Sequence, residues 1–76
     1  MAVEVRMPKP GSGTDELILG GWYVEDNAAV TAGQALFHAI GDKVDMDVEA
    51  PAGGVLEQRA ETGERYQAGT VVAVIR

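Results

Sequence analysis

The sequence has no cysteine among its 76 residues. This absence excludes disulfide bonds, thiolate nucleophiles, cysteine-ligated zinc and iron–sulfur clusters. The chain is also short, and a chain of this size buries only about 60% of the surface that its unfolded form exposes, so it offers no room for a large active-site cleft. We therefore expect one small domain, residues 1–76, that is held together by packing alone.

Basic side chains are scarce. Twelve acidic and six basic residues give a formal net charge of −6, which opposes binding to a nucleic-acid backbone or to anionic lipid. No apolar run approaches the roughly 20 residues of a transmembrane helix, and the first residues lack the layout of a signal peptide. We expect no nucleic acid or membrane partner, a monomeric isolated domain, and a cytoplasmic location in a bacterium, with the mitochondrial matrix as the alternative.

Groups that could catalyse a reaction are few. His38 is the only histidine and Ser12 the only serine, and Ser12 lies in a Gly-Ser-Gly sequence typical of a flexible loop. A nucleophilic triad would need these distant residues to meet a third partner, so we interpret His38 as a satisfied or solvated side chain. The acidic residues also lack the spacing of a calcium-binding loop. We predict neither an enzyme nor a metal site.

The most informative stretch is a predicted hairpin. Apolar and acidic residues alternate strictly from Val44 to Glu49, which predicts a strand with one buried face. A second apolar run, Ala35 to Ile40, precedes it, and Gly41-Asp42-Lys43 between the runs has the composition of a tight turn. The pattern predicts that Lys43 lies at the tip of a β-hairpin. A lysine at such a position is also explained by solvation alone, without a function.

Other segments of the chain also favour strands, at residues 3–7, 17–24, 34–40, 55–59 and 70–75. The glycine pair 20–21 indicates a β-bulge, and Asn27 is suited to a left-handed turn conformation. Residues 56–61 have helical propensity but lack an N-cap, so we interpret them as strand. We interpret Glu61–Arg65 as a charged turn.

An internal repeat predicts the architecture. A shift of 36 positions aligns residues 19–36 with 55–72 without a gap, and a shift of 43 aligns residues 3–8 with 46–51. Each four-strand unit is too small to bury its apolar face alone, whereas two units can pack against each other. We predict an all-β flattened barrel of two four-stranded sheets with internal pseudo-twofold symmetry, in which the lysine hairpin and the chain termini lie at opposite ends.

Several short motifs, in order and at matching spacing, carry a family resemblance. They are Met7-Pro8-Lys9-Pro10-Gly11, Trp22, Ala32-Gly33-Gln34-Ala35-Leu36, Asp42-Lys43 and Val48-Glu49-Ala50-Pro51. On these motifs the chain resembles the lipoyl domain of the dihydrolipoyl acyltransferase component of 2-oxo acid dehydrogenase complexes, within the biotinyl/lipoyl attachment family. Each motif is weak alone, but the combination covers nearly the whole chain.

The resemblance implies a covalent cofactor. Lys43 would carry lipoic acid through an amide bond, with Asp42 and Val44 flanking it as recognition residues. The domain would shuttle acyl groups and reducing equivalents without catalysing any step, in the complex of a 2-oxo acid or of acetoin. Its implied partners are a thiamine-diphosphate-dependent 2-oxo acid dehydrogenase, a flavoprotein dihydrolipoyl dehydrogenase and a lipoate-attaching enzyme.

Two alternatives remain at this level. A biotinyl carrier domain of a carboxylase shares the fold, but that family surrounds its lysine with methionines, and here the neighbours are Asp42 and Val44. An unmodified protein-interaction module of the same fold is a separate class of function. Ile40 and Gly41 also differ from the residues usual in the lipoyl family, so the motifs do not identify one parent complex.

Overall fold

A computed structural model describes residues 2–9, 15–42 and 44–76. Within these ranges the chain forms strands and turns with no helix. The strands, in chain order, are β1 (Val3–Arg6), β2 (Glu16–Trp22), β3 (Ala29–Val30), β4 (Ala35–Ile40), β5 (Asp45–Glu49), β6 (Gly54–Gln58), β7 (Arg65–Gln67) and β8 (Val71–Ile75). The all-β prediction is therefore confirmed.

The strands form two four-stranded antiparallel sheets. One has the order β1-β8-β6-β3 and contains both terminal strands, so we call it the terminal sheet. The other has the order β5-β4-β2-β7, and we call it the hairpin sheet. Exchanging the first four strands with the last four converts one order into the other, which confirms the predicted pseudo-twofold symmetry.

The turns repeat with the strands. Asn27 has a φ of 68° and Gly63, which lies 36 positions later, has a φ of 89°. Gly33 and Gly69 are related by the same shift, with φ values of 88° and 90°. Side chains with a Cβ rarely adopt this left-handed region, and asparagine is among the few that do. The predicted conformation of Asn27 is thus confirmed, and the repeat is a property of the backbone.

The core lies between the sheets. Its members are buried apolar side chains: Val5, Met7, Leu17, Leu19, Val30, Leu36, Phe37, Ala39, Ala50, Leu56, Ala60, Val72, Ala73 and Ile75. The adjacent buried pairs 36–37 and 72–73 depart from strict alternation and lie where the strand register shifts. Trp22 packs on this cluster with its ring centroid 5.1 Å from that of Phe37. None of the described polar or charged residues is buried. The described core is therefore formed by packed apolar side chains.

Two strands escaped the sequence analysis. β3 has two residues and β7 has three, which is too short for an alternating pattern to show. The interpretation of Glu61–Arg65 as only a turn was wrong at its end, because Arg65 begins β7. The bulge is confirmed, since the β2–β4 register shifts between Leu19 and Gly21. The predicted Gly11-Ser12-Gly13 loop lies outside the described residues.

Candidate functional site

The hairpin between β4 and β5 is confirmed. Ile40 and Asp45 face each other as the last paired residues of the two strands. Beyond them the Gly41 N–H donates a 2.7 Å hydrogen bond to the Val44 carbonyl. Lys43 lies outside the described residues. Its neighbours are described, with Asp42 exposed and Val44 half-buried.

Close packing explains the glycine at the start of this turn. Gly41 is not among the residues with positive φ, so a left-handed conformation is not the reason for a glycine here. A Cβ at this position would lie 2.8 Å from Leu17 Cδ2 and 3.2 Å from Val44 Cγ1. Leu17 is fully buried. The hairpin therefore rests directly on the core, which gives its tip a rigid base.

Other connections reach the same end of the molecule. The Ala68 N–H donates a 2.7 Å hydrogen bond to the carbonyl of Asp15, the residue before β2. The termini lie at the other end, where Arg76 and Val55 exchange two backbone hydrogen bonds of 2.8 Å. There Gly53 approaches Val30, which precedes the start of β4. The opposite placement of the hairpin and the termini is thus confirmed for the described residues.

The hairpin is acidic. Asp45, Asp47 and Glu49 occupy the outward positions of β5 and are exposed, whereas Met46 and Val48 are half-buried beneath them. The sequences of β4 and β5 contain no lysine or arginine. Confined negative charge of this kind accelerates encounter with basic surfaces, and the effect weakens as salt is added.

A hydrogen-bonded cluster ties the hairpin to β2. The Tyr23 hydroxyl donates a 2.7 Å bond to Asp47 Oδ1, and His38 Nδ1 lies 2.9 Å from the same oxygen. The bonds from His38 and then from Tyr23 lower the pKa of the Asp47 carboxyl, and the bond to Asp47 raises the pKa of the Tyr23 hydroxyl. The interpretation of His38 as a satisfied side chain is confirmed.

This cluster was missed by the sequence analysis, although a signal was present. A two-residue hairpin loop at positions 42 and 43 places His38 opposite Asp47, and the structure has that pair. Among the residues with described positions, no group of three or more His, Asp and Glu side chains is placed to hold a metal ion. The same residues include no helix that is long and apolar enough to cross a membrane.

Comparisons with known proteins decide the family. The model of the biotin/lipoyl family, described as biotin-requiring enzyme, matches residues 3–75. The chain belongs to this family. The predicted family and the prediction of a non-catalytic carrier domain are therefore both confirmed.

Two relatives show how far the likeness extends. The domain is 33% identical over 76 residues to the dihydrolipoyllysine-residue acetyltransferase component of the pyruvate dehydrogenase complex of Corynebacterium glutamicum. That match covers 99% of this chain and 11% of the relative, so the domain spans about a tenth of that protein's length. Its fold is similar to that of the lipoyl domain of the 2-oxoglutarate dehydrogenase complex from Azotobacter vinelandii. The TM-score is 0.80 at 21% identity, with 97% of this chain and 95% of that chain covered.

The described residues around position 43 suit a covalent group. A group on a lysine needs a fixed base and an open exit rather than a closed pocket. The Gly41–Val44 hydrogen bond and the contact of Gly41 with Leu17 supply the base. The neighbouring side chain of Asp42 is exposed. The biotin/lipoyl family includes carriers of either cofactor, so membership alone does not select one.

Proposed function

We propose that this domain is a swinging-arm carrier, lipoylated on Lys43, that moves acyl groups and reducing equivalents between the active sites of a 2-oxo acid dehydrogenase complex. The observation that carries the proposal is the closed β4–β5 hairpin, which bounds position 43 by Gly41 and Val44 and rests on buried Leu17. The 33% identity to an acyltransferase component supports lipoyl rather than biotinyl chemistry.

The residues of the domain bind and position, and none performs a chemical step. When attached, a lipoyl group would supply a dithiolane that takes up an acyl group as a thioester and is reduced in doing so. Gly41, Val44 and Leu17 hold the base of the arm. Asp42 and Val44 flank the lysine and are the residues that an attaching enzyme would read. A fixed base allows a tethered group to reach successive sites at high effective concentration.

The partners follow from this chemistry. They are a thiamine-diphosphate-dependent 2-oxo acid dehydrogenase, a flavoprotein dihydrolipoyl dehydrogenase and a lipoate-attaching enzyme. The exposed carboxylates Asp42, Asp45 and Asp47 would steer the hairpin towards basic surfaces around the entrances of these enzymes. The site of action we propose is the cytoplasm of a bacterium. The domain would be a monomer joined to a larger acyltransferase chain.

Intact-mass measurement tests the attachment directly. The protein is incubated with a lipoate-attaching ligase, lipoic acid and ATP, in parallel with a biotin-ligase reaction, and the products are mapped by peptide digestion. We expect one lipoyl addition on Lys43 and none in a Lys43→Arg variant that remains folded by circular dichroism. Lys9→Arg is the matched control, because Lys9 is the other lysine of the chain, and it should be lipoylated like the parent.

The other outcomes each select a different function. Biotin on Lys43 would assign the domain to a carboxylase. A folded protein that neither ligase modifies would contradict the carrier function and favour an unmodified interaction module. Loss of folding in Lys43→Arg would show a structural role for this lysine.

A further inference from the structure

The outer face of the hairpin sheet carries an apolar surface next to the proposed attachment site. Tyr23 and Ile40 are the large hydrophobic side chains exposed in the described part of the chain, at 55% and 37%. Both lie on this face. Ile40 pairs with Ile18, and the alternate positions Leu19 and Ala39 are fully buried between the sheets, so Ile18 and Ile40 point outward.

Gly20 and Gly21 lie next to Ile40 and Tyr23 on the outer face of the hairpin sheet. A Cβ on Gly20 would lie 2.7 Å from Ile40 Cδ1, which means that the Ile40 side chain lies flat across the backbone of β2. Gly21 pairs with His38, whose side chain contacts exposed Asp47, and a Cβ on Gly21 would meet nothing within 4 Å. Directly opposed residues share a face. We call the apolar surface formed by these residues the outer strip; its members are Ile18, Gly20, Gly21, Tyr23 and Ile40.

We propose that the outer strip is a resting site for the lipoyl chain attached to Lys43; this inference depends on the proposed function. Reach supports it. A strand advances about 3.3 Å per residue, so Ile40 and His38 lie at most about 10 Å and about 17 Å along the chain from position 43. A lysyl-lipoyl arm extends about 14 Å with ordinary bond lengths near 1.5 Å. The arm can therefore cover Ile40, whose side chain lies across Gly20.

The chemistry of the strip fits an uncharged chain. An amide-linked lipoyl group consists mainly of methylenes, which gain by leaving water against Ile40 and Ile18. The carboxylates of Asp45 and Asp47 border the strip and would repel a free fatty acid. A protein partner would need about 800 Å² on each side, far more than a few side chains provide.

The terminal sheet has no equivalent surface. Its outer face carries ion pairs, with Glu57 bound to Arg59 at 2.7 Å and to Arg76 at 2.8 Å. Half-exposed Val74 lies between Glu4 and Glu57 in the register. The same backbone thus presents an apolar strip only on the side of the hairpin, within the described residues.

Chemical synthesis of the 76-residue chain with Nε-lipoyl-lysine at position 43 allows a direct test. The synthesis introduces ¹⁵N-glycine at positions 20 and 21 and a ¹³C-methyl isoleucine at position 40. We expect nuclear Overhauser contacts from the lipoyl methylenes to the Ile40 methyl, with shifts of the Gly20 and Gly21 amides relative to the unmodified chain. Absence of these contacts, together with Gly20 and Gly21 amide shifts equal to those of the unmodified chain, would overturn the inference.

A variant pair separates the strip from general effects. Ile40→Ser should abolish the shifts at Gly20 and Gly21, whereas Val74→Ser, an outward position on the other sheet, should leave them unchanged. A strip occupied half of the time would slow reduction of the dithiolane by a soluble phosphine about twofold, and Ile40→Ser should remove that protection. Equal reduction rates in the parent and Ile40→Ser would contradict the proposal.

The synthetic chain also separates two kinds of failure. It bypasses the attaching enzyme, so a domain that ligases do not modify would contradict the proposed function while the resting site remains measurable. Conversely, enzymatic lipoylation of Lys43 without contacts in the synthetic chain would leave the carrier function intact and remove the resting site.

Discussion

The outer faces of the two sheets share one backbone pattern and differ in chemistry. On the terminal sheet, Glu57 binds Arg59 and Arg76 in an exposed ion-pair cluster. A shift of 36 positions leads from these residues to their counterparts on the hairpin sheet, which are Gly21, Tyr23 and Ile40. The inward positions and turns must satisfy the same packing in both copies, whereas outward positions are free to diverge. Function is therefore to be sought where the copies differ.

The largest effect should come from Gly54→Ala, at the end of the terminal sheet. A Cβ there would clash with the Arg76 carbonyl oxygen and would lie 2.8 Å from Ile75 Cγ2, and the residue has a φ of +150°. Backbone strain and the clash together should lower the free energy of unfolding by about 4 kcal/mol, measured by urea denaturation.

Gly63→Ala separates strain from contact. Gly63 has a φ of +89°, but a Cβ there would meet nothing within 4 Å. We expect a loss of about 1 kcal/mol from the left-handed conformation alone. Equal losses of unfolding free energy in Gly54→Ala and Gly63→Ala would show that the close approach of Arg76 to Gly54 does not add to the cost of the substitution.

The second prediction compares equivalent core positions. Leu36 and Val72 are related by the repeat, and both are fully buried. Leu36→Ala should cost about 3 kcal/mol of unfolding free energy. Val72→Ala removes one methylene fewer and should cost about 1 kcal/mol less. The midpoints and slopes of urea unfolding give both values. A larger loss of unfolding free energy for Val72→Ala than for Leu36→Ala would contradict this expectation. It would show that core packing at the terminal sheet contributes more to stability than packing at the equivalent position of the hairpin sheet.

A smaller effect is expected for Glu57→Gln on the terminal sheet. The side chains of Arg59 and Arg76 are more than half exposed, and ion pairs in water contribute only about 0–1 kcal/mol. We expect a loss below about 1 kcal/mol that shrinks as salt is raised. A loss that persists at high salt would indicate that Glu57 stabilises the sheet by packing rather than by charge.

The repeat explains how much of the fold could be predicted from the sequence. Alternation from Val44 to Glu49 predicts the hairpin, and the aligned turns at Asn27 and Gly63 predict the two-layer packing of two similar units. The strands β3 and β7 could not be recognised, because two or three residues carry no period. Their pairing depends on contacts with β6 and β2, which lie far away in the sequence.

At the candidate site, the sequence predicted the hairpin but not the contacts on which the hairpin packs. A glycine before a turn suggests positive φ, yet Gly41 is required by its approach to Leu17, a contact between distant residues. The apolar surface at Ile40 likewise depends on the bulge at Gly20, which brings β2 beneath that side chain. The attachment of lipoate to Lys43 stays a prediction from the family resemblance.

The smallest expected effect is a pH-dependent change in the unfolding free energy, caused by Asp47 on the hairpin sheet. Hydrogen bonds from His38 and Tyr23 lower the pKa of Asp47 below its ordinary 3.8. A carboxyl with a lowered folded-state pKa contributes stability above the unfolded value, and that contribution is lost as the pH falls through the folded value. Asp47→Asn removes the charge and keeps the shape. Its deficit in unfolding free energy should be present near neutral pH and should vanish as the pH falls below 3.8.

Urea unfolding of the parent and of Asp47→Asn, from about pH 6 to about pH 2, measures this deficit. Glu4→Gln is the matched control, because the repeat relates Glu4 to Asp47 and the substitution leaves the bonds of His38 and Tyr23 in place. Tyr23→Phe should reduce the acid-dependent part by removing one of the two donors. A deficit for Asp47→Asn that does not change with pH would assign the role of Asp47 to shape, and the two outer faces would then differ only in hydrophobicity.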